Sequence, residues 1–172
     1  PFTADHSARV TLYTDTIAEQ LGLDQAHRRW LRRAALLHDL GKLAVSNQVL
    51  DKPSKLDDDE WQAIRAHSRH SEEILTRVSA LHDIAPIAGA HHERLDGHGY
   101  PYGLKGDQIG LEVRILTVAD VFDALSAERP YRAAIPIDEV FKIMERDIGT
   151  AFDATCIDAL KRGMQAMNAR AA

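Results

Sequence analysis

Apolar residues recur at three- and four-residue spacing along almost the whole chain, and no stretch alternates apolar with polar as a half-buried strand would. Val10, Tyr13, Ile17 and Leu21 share one helical face, and Gly22 stops that segment. Asp24 is placed to cap a second helix with a buried stripe of Leu23, Trp30, Leu31, Ala34 and Leu37, ended by Gly41. Residues 43–56 read as a connector with one short turn around 46–50, punctuated by Pro53. The acidic run 57–60 suits a helix N-terminus, so a third long helix carrying Trp61, Ile64 and His67 starts there. A further helix is predicted over 71–79 and another over 83–93, ending in His91-His92. Asp96, Gly97, Gly99, Pro101, Gly103, Gly106 and Gly110 make 94–110 a long loop, of a length that compact domains keep mainly for function. The strongly apolar segment 113–127 reads as a central helix. Closing helices over 137–148 and 154–168 flank Gly149, with Asp153 as a cap. The expectation is an all-α fold, a single compact domain of about seven helices.

The 172 residues fit one domain with its own core. A net charge of −5 argues against binding a DNA or RNA polymer or an anionic membrane surface. It leaves room for a small phosphate substrate, because bound metal reverses the field locally. The single cysteine, Cys156, cannot form an internal disulfide, which points to a reducing, cytoplasmic compartment, and its expected role is helix packing. No run has the length of a transmembrane helix, and no basic-then-apolar leader is present, so membrane insertion is not expected. The sequence opens at Pro1 with His6 almost at once, and 1–172 reads as a domain excised from a protein that continues upstream.

Histidine is the outlier of the composition, with nine residues. His38-Asp39 falls near the end of the second helix. Adjacent helical side chains point about 100° apart, so the pair can address two cations, and a carboxylate can bridge them where imidazole cannot. Taken singly, each candidate has a plainer reading: a helix-terminal polar pair for His38-Asp39, a surface or capping residue for His6, a satisfied buried histidine on the Trp61–Ile64 face for His67, a solvated helix end for His91-His92. Asp120 resists such a reading, because it lies within the most apolar helix and a buried carboxylate needs a cation or several donors. Five histidines and two aspartates suit two divalent metals of intermediate softness, iron or manganese first, nickel or zinc as alternatives. His27, His70 and His82 read as surface residues.

These motifs resemble the HD-GYP type of the HD superfamily of metal-dependent phosphohydrolases, a family of cyclic di-GMP phosphodiesterases. The carrying residues are His38-Asp39 with Gly41-Lys42, His91-His92-Glu93 followed by Gly97 to Pro101, Arg114-Ile115, the run 118–125 and Arg129-Pro130-Tyr131-Arg132, covering 6 to about 160. The resemblance implies that His6, His38, Asp39 and Asp120 hold one metal, and that Asp39 bridges to a second held by His67, His91 and His92. Phe2 departs from members that carry glutamate there for a third metal, so two metals are expected. Asp39 and Lys42 would be catalytic. Gly99, Tyr100, Pro101, Arg129 and Arg132 would line the substrate groove, with lysine in place of Arg132 in many members. Asp123, one turn beyond Asp120, would orient a ligand histidine from behind; a plain helix-surface aspartate is the competing reading.

The implied chemistry is attack on a phosphodiester by a hydroxide shared between the two metals, with Lys42 stabilising charge on the phosphate oxygens. Lys42 at a helix C-terminus would otherwise simply complement the dipole. The substrate expected is cyclic di-GMP, cut to linear pGpG, with onward cleavage to GMP left open and hybrid cyclic GMP-AMP as a variant. Competing classes are a degenerate module that binds the dinucleotide and acts through protein contacts, and other HD chemistry such as nucleotide phosphohydrolysis or oxygen chemistry at an iron pair. Retention of all seven ligands speaks against the first, and the 94–110 loop against the second. Partners implied by the resemblance are an N-terminal regulatory domain and GGDEF-type signalling proteins in a bacterial cytoplasm; oligomeric state is open.

Overall fold

The computed structural model describes residues 2–50, 52–128 and 134–171, with side chains described between Asp5 and Ala169 apart from the two internal gaps. It is all-helical, and the only strand-like feature among the described residues is an isolated bridge between Ile148 and Phe152. The α-helices are α1 (Phe2–Gln20), α2 (Gln25–Leu37), α3 (Asn47–Leu50), α4 (Asp58–Arg65), α5 (His67–Thr76), α6 (Ala85–Ala90), α7 (Leu111–Ser126), α8 (Ile137–Glu145) and α9 (Ala154–Ala171). Short 3₁₀ turns occupy Leu40–Ala44, Ser79–Ile84 and Gly106–Gln108.

The capping logic holds where the sequence offered it. Gly22 takes φ 77° after α1, Asp24 accepts from the N–H of His27, and Asp57 and Glu60 form a reciprocal capping box on α4. Asp153 accepts from the N–H of Thr155 at 2.8 Å at the start of α9.

Three expectations are corrected. The second helix ends at Leu37, not Gly41: His38 is its C-cap and Asp39 has φ −95° and ψ 8°, the sparsely allowed bridge region between helix and strand. The stretch expected as one helix through His67 breaks at Ala66, so His67 opens α5 instead of closing α4. The segment before His91-His92 is a 3₁₀ turn followed by a short α6. The apolar pattern fixes the face of each piece but is blind to a one-residue change of axis.

Helix α7 is the axis of the fold. Ile115, Leu116, Val118, Ala119 and Phe122 are fully buried and pack with Val10 and Ile17 of α1, Leu31 and Ala34 of α2, Met144 of α8, and Ile157 and Leu160 of α9. Phe122 meets Tyr13 edge-to-face at 4.9 Å, and burial of each such side chain is worth about 1.5–3 kcal/mol. Cys156 lies in this core, where burial pushes its thiol up to about 12. A smaller cluster of Leu75, Ala85 and Ala88 joins α5 to α6. Trp61, expected on a buried face, is 48% exposed. No helix of the described residues is long and apolar enough to cross a membrane.

Candidate metal centre

The seven residues singled out as metal ligands converge where the two clusters meet. His6 comes from α1, His38 and Asp39 from the turn after α2, His67 from the first position of α5, His91 and His92 from the end of α6, and Asp120 from mid-α7. One close approach makes this possible. A Cβ on Gly41 would lie 2.0 Å from the carbonyl oxygen of His67, so only glycine lets the turn after Asp39 press on α5. There the Ser71 hydroxyl accepts from the N–H of Gly41 at 2.8 Å and donates to the carbonyl of His38 at 2.6 Å.

The ligand atoms sort into two groups around one carboxylate. Asp39 Oδ2 lies 3.6 Å from His6 Nε2 and 3.5 Å from His38 Nε2, and both of those nitrogens also face Asp120 Oδ1, at 3.2 and 3.7 Å. Asp39 Oδ1 lies 3.3 Å from His67 Nε2 and 4.0 Å from His91 Nε2. His6, His38 and Asp120 form one cluster of ligand-capable atoms, and His67, His91 and His92 another.

The backs of the imidazoles are tied off. Nδ1 of His38, His67 and His91 donates to the carbonyls of Ala35, Ile64 and Ala88, and Nδ1 of His6 lies 2.7 Å from Asp123 Oδ2. A carbonyl cannot donate, so these contacts place the proton on Nδ1 and leave the Nε2 lone pair facing the centre whenever the ring is neutral. Nε2 of His67 and of His91 are only 3.4 Å apart, two lone pairs aimed at one point. Nε2 of His38 and Oδ1 of Asp39 are buried without a hydrogen-bond partner. Converging, orphaned, buried acceptors are what a divalent cation satisfies, and the donor set fits one.

Protonation divides the two groups in the same way. Burial works against the proton on His6, yet hydrogen bonding to Asp120 and Asp123 prevails and raises it to about 9. Burial likewise opposes the proton on His38, and Asp39 and Asp120 raise it. Burial would push Asp39 and Asp120 up, but the surrounding imidazoles hold both carboxyls well below the usual range. His92 is lowered to about 4 and His91 well below its ordinary value, in each case mainly by burial.

Lys42 sits on the rim, its Nζ 2.5 Å from Asp39 Oδ2 and its side chain partly exposed. Asp123, left between two readings by the sequence, is buried: it meets His6 and also accepts from Arg9 Nε at 2.6 Å. The loop expected to line a groove stacks on the centre, with the Tyr100 ring 4.8 Å from that of His92 and its N–H bonded to the His92 carbonyl. Burial raises the Tyr100 phenol to about 12. Gly99 is obligatory there, since a Cβ would meet Arg94 N at 2.4 Å and Glu93 Cα at 2.5 Å. Pro101 follows through a cis peptide bond. Arg129 and Arg132 lie outside the described residues.

Glu93, without an expected role, has a buried carboxylate that accepts from the N–H groups of Tyr102 at 2.6 Å and Leu104 at 2.9 Å and so holds the loop against α6. Glu72, equally unexpected here, accepts through Oε2 from the Tyr102 hydroxyl at 2.5 Å. A charged residue directly before a glycine-rich loop was the available signal for Glu93; nothing local marked Glu72. Of the three histidines read as surface residues, His82 is exposed and His27 half-exposed beside Glu112. His70 is half-buried, and its Nδ1 is buried without a hydrogen-bond partner.

The HD domain family model matches residues 1–156. The chain is 59% identical over 164 residues to 3'3'-cGAMP-specific phosphodiesterase 3 of Vibrio cholerae, covering 95% of this chain and 36% of that protein. It is 44% identical over 162 residues to the cyclic di-GMP phosphodiesterase response regulator RpfG of Xanthomonas campestris pv. campestris, covering 90% of this chain and 42% of that protein. Among solved structures, a cyclic GMP-AMP-specific phosphodiesterase of V. cholerae superposes with a TM-score of 0.59 at 53% identity, over 96% of this chain and 37% of that one. The chain thus spans well under half the length of these three relatives.

Proposed function

This chain belongs to the HD domain family, and from that footing we propose that it hydrolyses a phosphodiester bond of a cyclic dinucleotide at a two-metal centre. The observation that carries the proposal is the Asp39 carboxylate, each of whose oxygens faces a different histidine cluster. His6, His38, Asp39 and Asp120 would hold one ion, and Asp39, His67, His91 and His92 the other. Mixed imidazole and carboxylate donors suit iron or manganese first, with nickel or zinc as alternatives. When bound, such a pair supplies a nucleophile at neutral pH and neutralises charge growing on the phosphate.

The remaining work falls to the chain. Asp123 and the carbonyls behind the imidazoles fix the rings and their tautomers, so little reorganisation is left for the reaction. Lys42 places a cation beside Asp39, where non-bridging phosphate oxygens would come to lie. Tyr100 covers the His92 face and limits solvent there. Arg129 and Arg132 are proposed dinucleotide contacts on motif grounds.

Within the substrate class, cyclic di-GMP is our first reading, cut to linear pGpG; the name of the 59% identical relative favours hybrid 3'3'-cGAMP as a second. The test is incubation of the purified protein with each dinucleotide in manganese or iron, with products resolved by chromatography. Linear product that disappears in Asp39→Ala supports the hydrolase. Binding with no turnover in any metal would make the chain a regulatory module instead.

A further inference from the structure

The loop tyrosine that stacks on His92 has a second neighbour. Arg65, on the last turn of α4, holds its guanidinium carbon 5.4 Å from the centre of the Tyr100 ring, and that ring is 4.8 Å from His92. The cation therefore lies within about 10 Å of a histidine of the centre. One turn on, Arg69 repeats the arrangement 6.0 Å over Tyr102. Arg65 is exposed, and among the described residues it makes no ion pair. Its aromatic neighbour orients the plane of the fork while leaving its N–H donors free. The break at Ala66 puts Arg65 two residues before His67, on the joint that brings His67 to the centre.

A cyclic dinucleotide carries two phosphates, and only one can react at a time. The other must find cations near a centre that contributes two buried carboxylates, on a chain with a net charge of −5. We infer that Arg65 is a substrate-binding residue that forks onto the phosphate not being cut, so that the Arg65–Tyr100–His92 stack sets how the dinucleotide lies across the centre. This inference rests on the phosphodiesterase reading above. A planar cation with free donors matches two phosphate oxygens at once, which a mobile lysine would not do as well.

The test compares wild type with Arg65→Ala, Arg65→Met and Arg65→Lys, measuring KM and kcat on cyclic di-GMP and 3'3'-cGAMP together with metal content. The expected result is a KM raised about ten- to hundredfold in the alanine and methionine variants, the range of one lost charge-assisted contact. The lysine variant should fall between these and wild type, with metal content held throughout. A wild-type KM in Arg65→Ala overturns the inference while leaving the hydrolase reading intact. Loss of metal in Arg65→Met also overturns it, since the arginine would then be a support for the stack. A wild-type protein inert towards both dinucleotides removes both.

Discussion

His6 Nδ1 sits 2.7 Å from Asp123 Oδ2, and Arg9 Nε holds the other oxygen of that carboxylate at 2.6 Å. Three residues on two helices thus decide which nitrogen of His6 faces the centre. Asp123→Asn keeps the volume and removes the charge behind the ring. Metal affinity on the His6 side should fall about 10–100-fold with the helical fold intact. Competition with a graded chelator measures this, and an unchanged affinity would show Asp123 to be a packing residue.

The pH response of the metal-stripped protein follows from His6. Its folded value of about 9 lies above the ordinary 6.5, so the stability its proton contributes is complete below pH 6.5 and is lost as pH rises through 9. The melting temperature of metal-stripped protein should decline across that window. Metal uptake by His6, His38 and Asp120 at pH 7 should release protons, whereas His92, with its value near 4, and His91, held well below its ordinary value, should take metal with little release. Calorimetry in buffers of different ionisation enthalpy separates the two events; equal proton release from both clusters would refute the division.

Glu93→Gln tests the loop anchor. One amide oxygen cannot easily serve both N–H groups that the carboxylate accepts, and a buried donor left unpaired costs about 1–3 kcal/mol. The expected outcome is faster hydrogen exchange at Tyr102 and Leu104 and a raised KM, with metal content retained. Exchange as slow as in wild type would count against the anchor.

Gly41→Ala should be the most damaging single-methyl change in the centre. The added carbon would lie 2.0 Å from the His67 carbonyl oxygen and 2.5 Å from the Ser71 N–H nitrogen, both backbone atoms with no easy retreat. Overpacking of this kind costs about 1–3 kcal/mol or more, and separating the turn from α5 should also drain the second metal. Thermal melting and metal analysis report the two effects together.

Lys42→Ala should leave both metals in place and lower kcat by about 10²–10³, the usual loss for one charge-stabilising donor. A fall in metal content in step with activity would instead assign Lys42 to holding Asp39.

Much of this centre was legible in the sequence, because the candidate ligands are polar residues set into otherwise apolar helical stripes. Asp120 shows it most plainly, since an acid amid Val118, Ala119, Val121 and Phe122 must meet a cation or several donors. What escaped was whatever depends on the path of the chain between stripes. The break at Ala66 is invisible in a pattern that runs on from Ile64 to His67. Arg65 carries no local cue either, since its contact with Tyr100 spans two distant segments. Glu72 reaches Tyr102 across thirty positions with no local cue. Trp61, expected on a buried face from its hydrophobicity, stays 48% exposed.

Asp39 stands where the large core around α7 meets the small one between α5 and α6. Ions on either side of that carboxylate would act as rivets, adding to the apolar packing of Ile87 and Ala90 and to the Thr117–His91 hydrogen bond that already tie these parts of the chain together. Removing metal would then do more than idle the site: the packing around this carboxylate should loosen, and stability as well as chemistry would follow the metal supply.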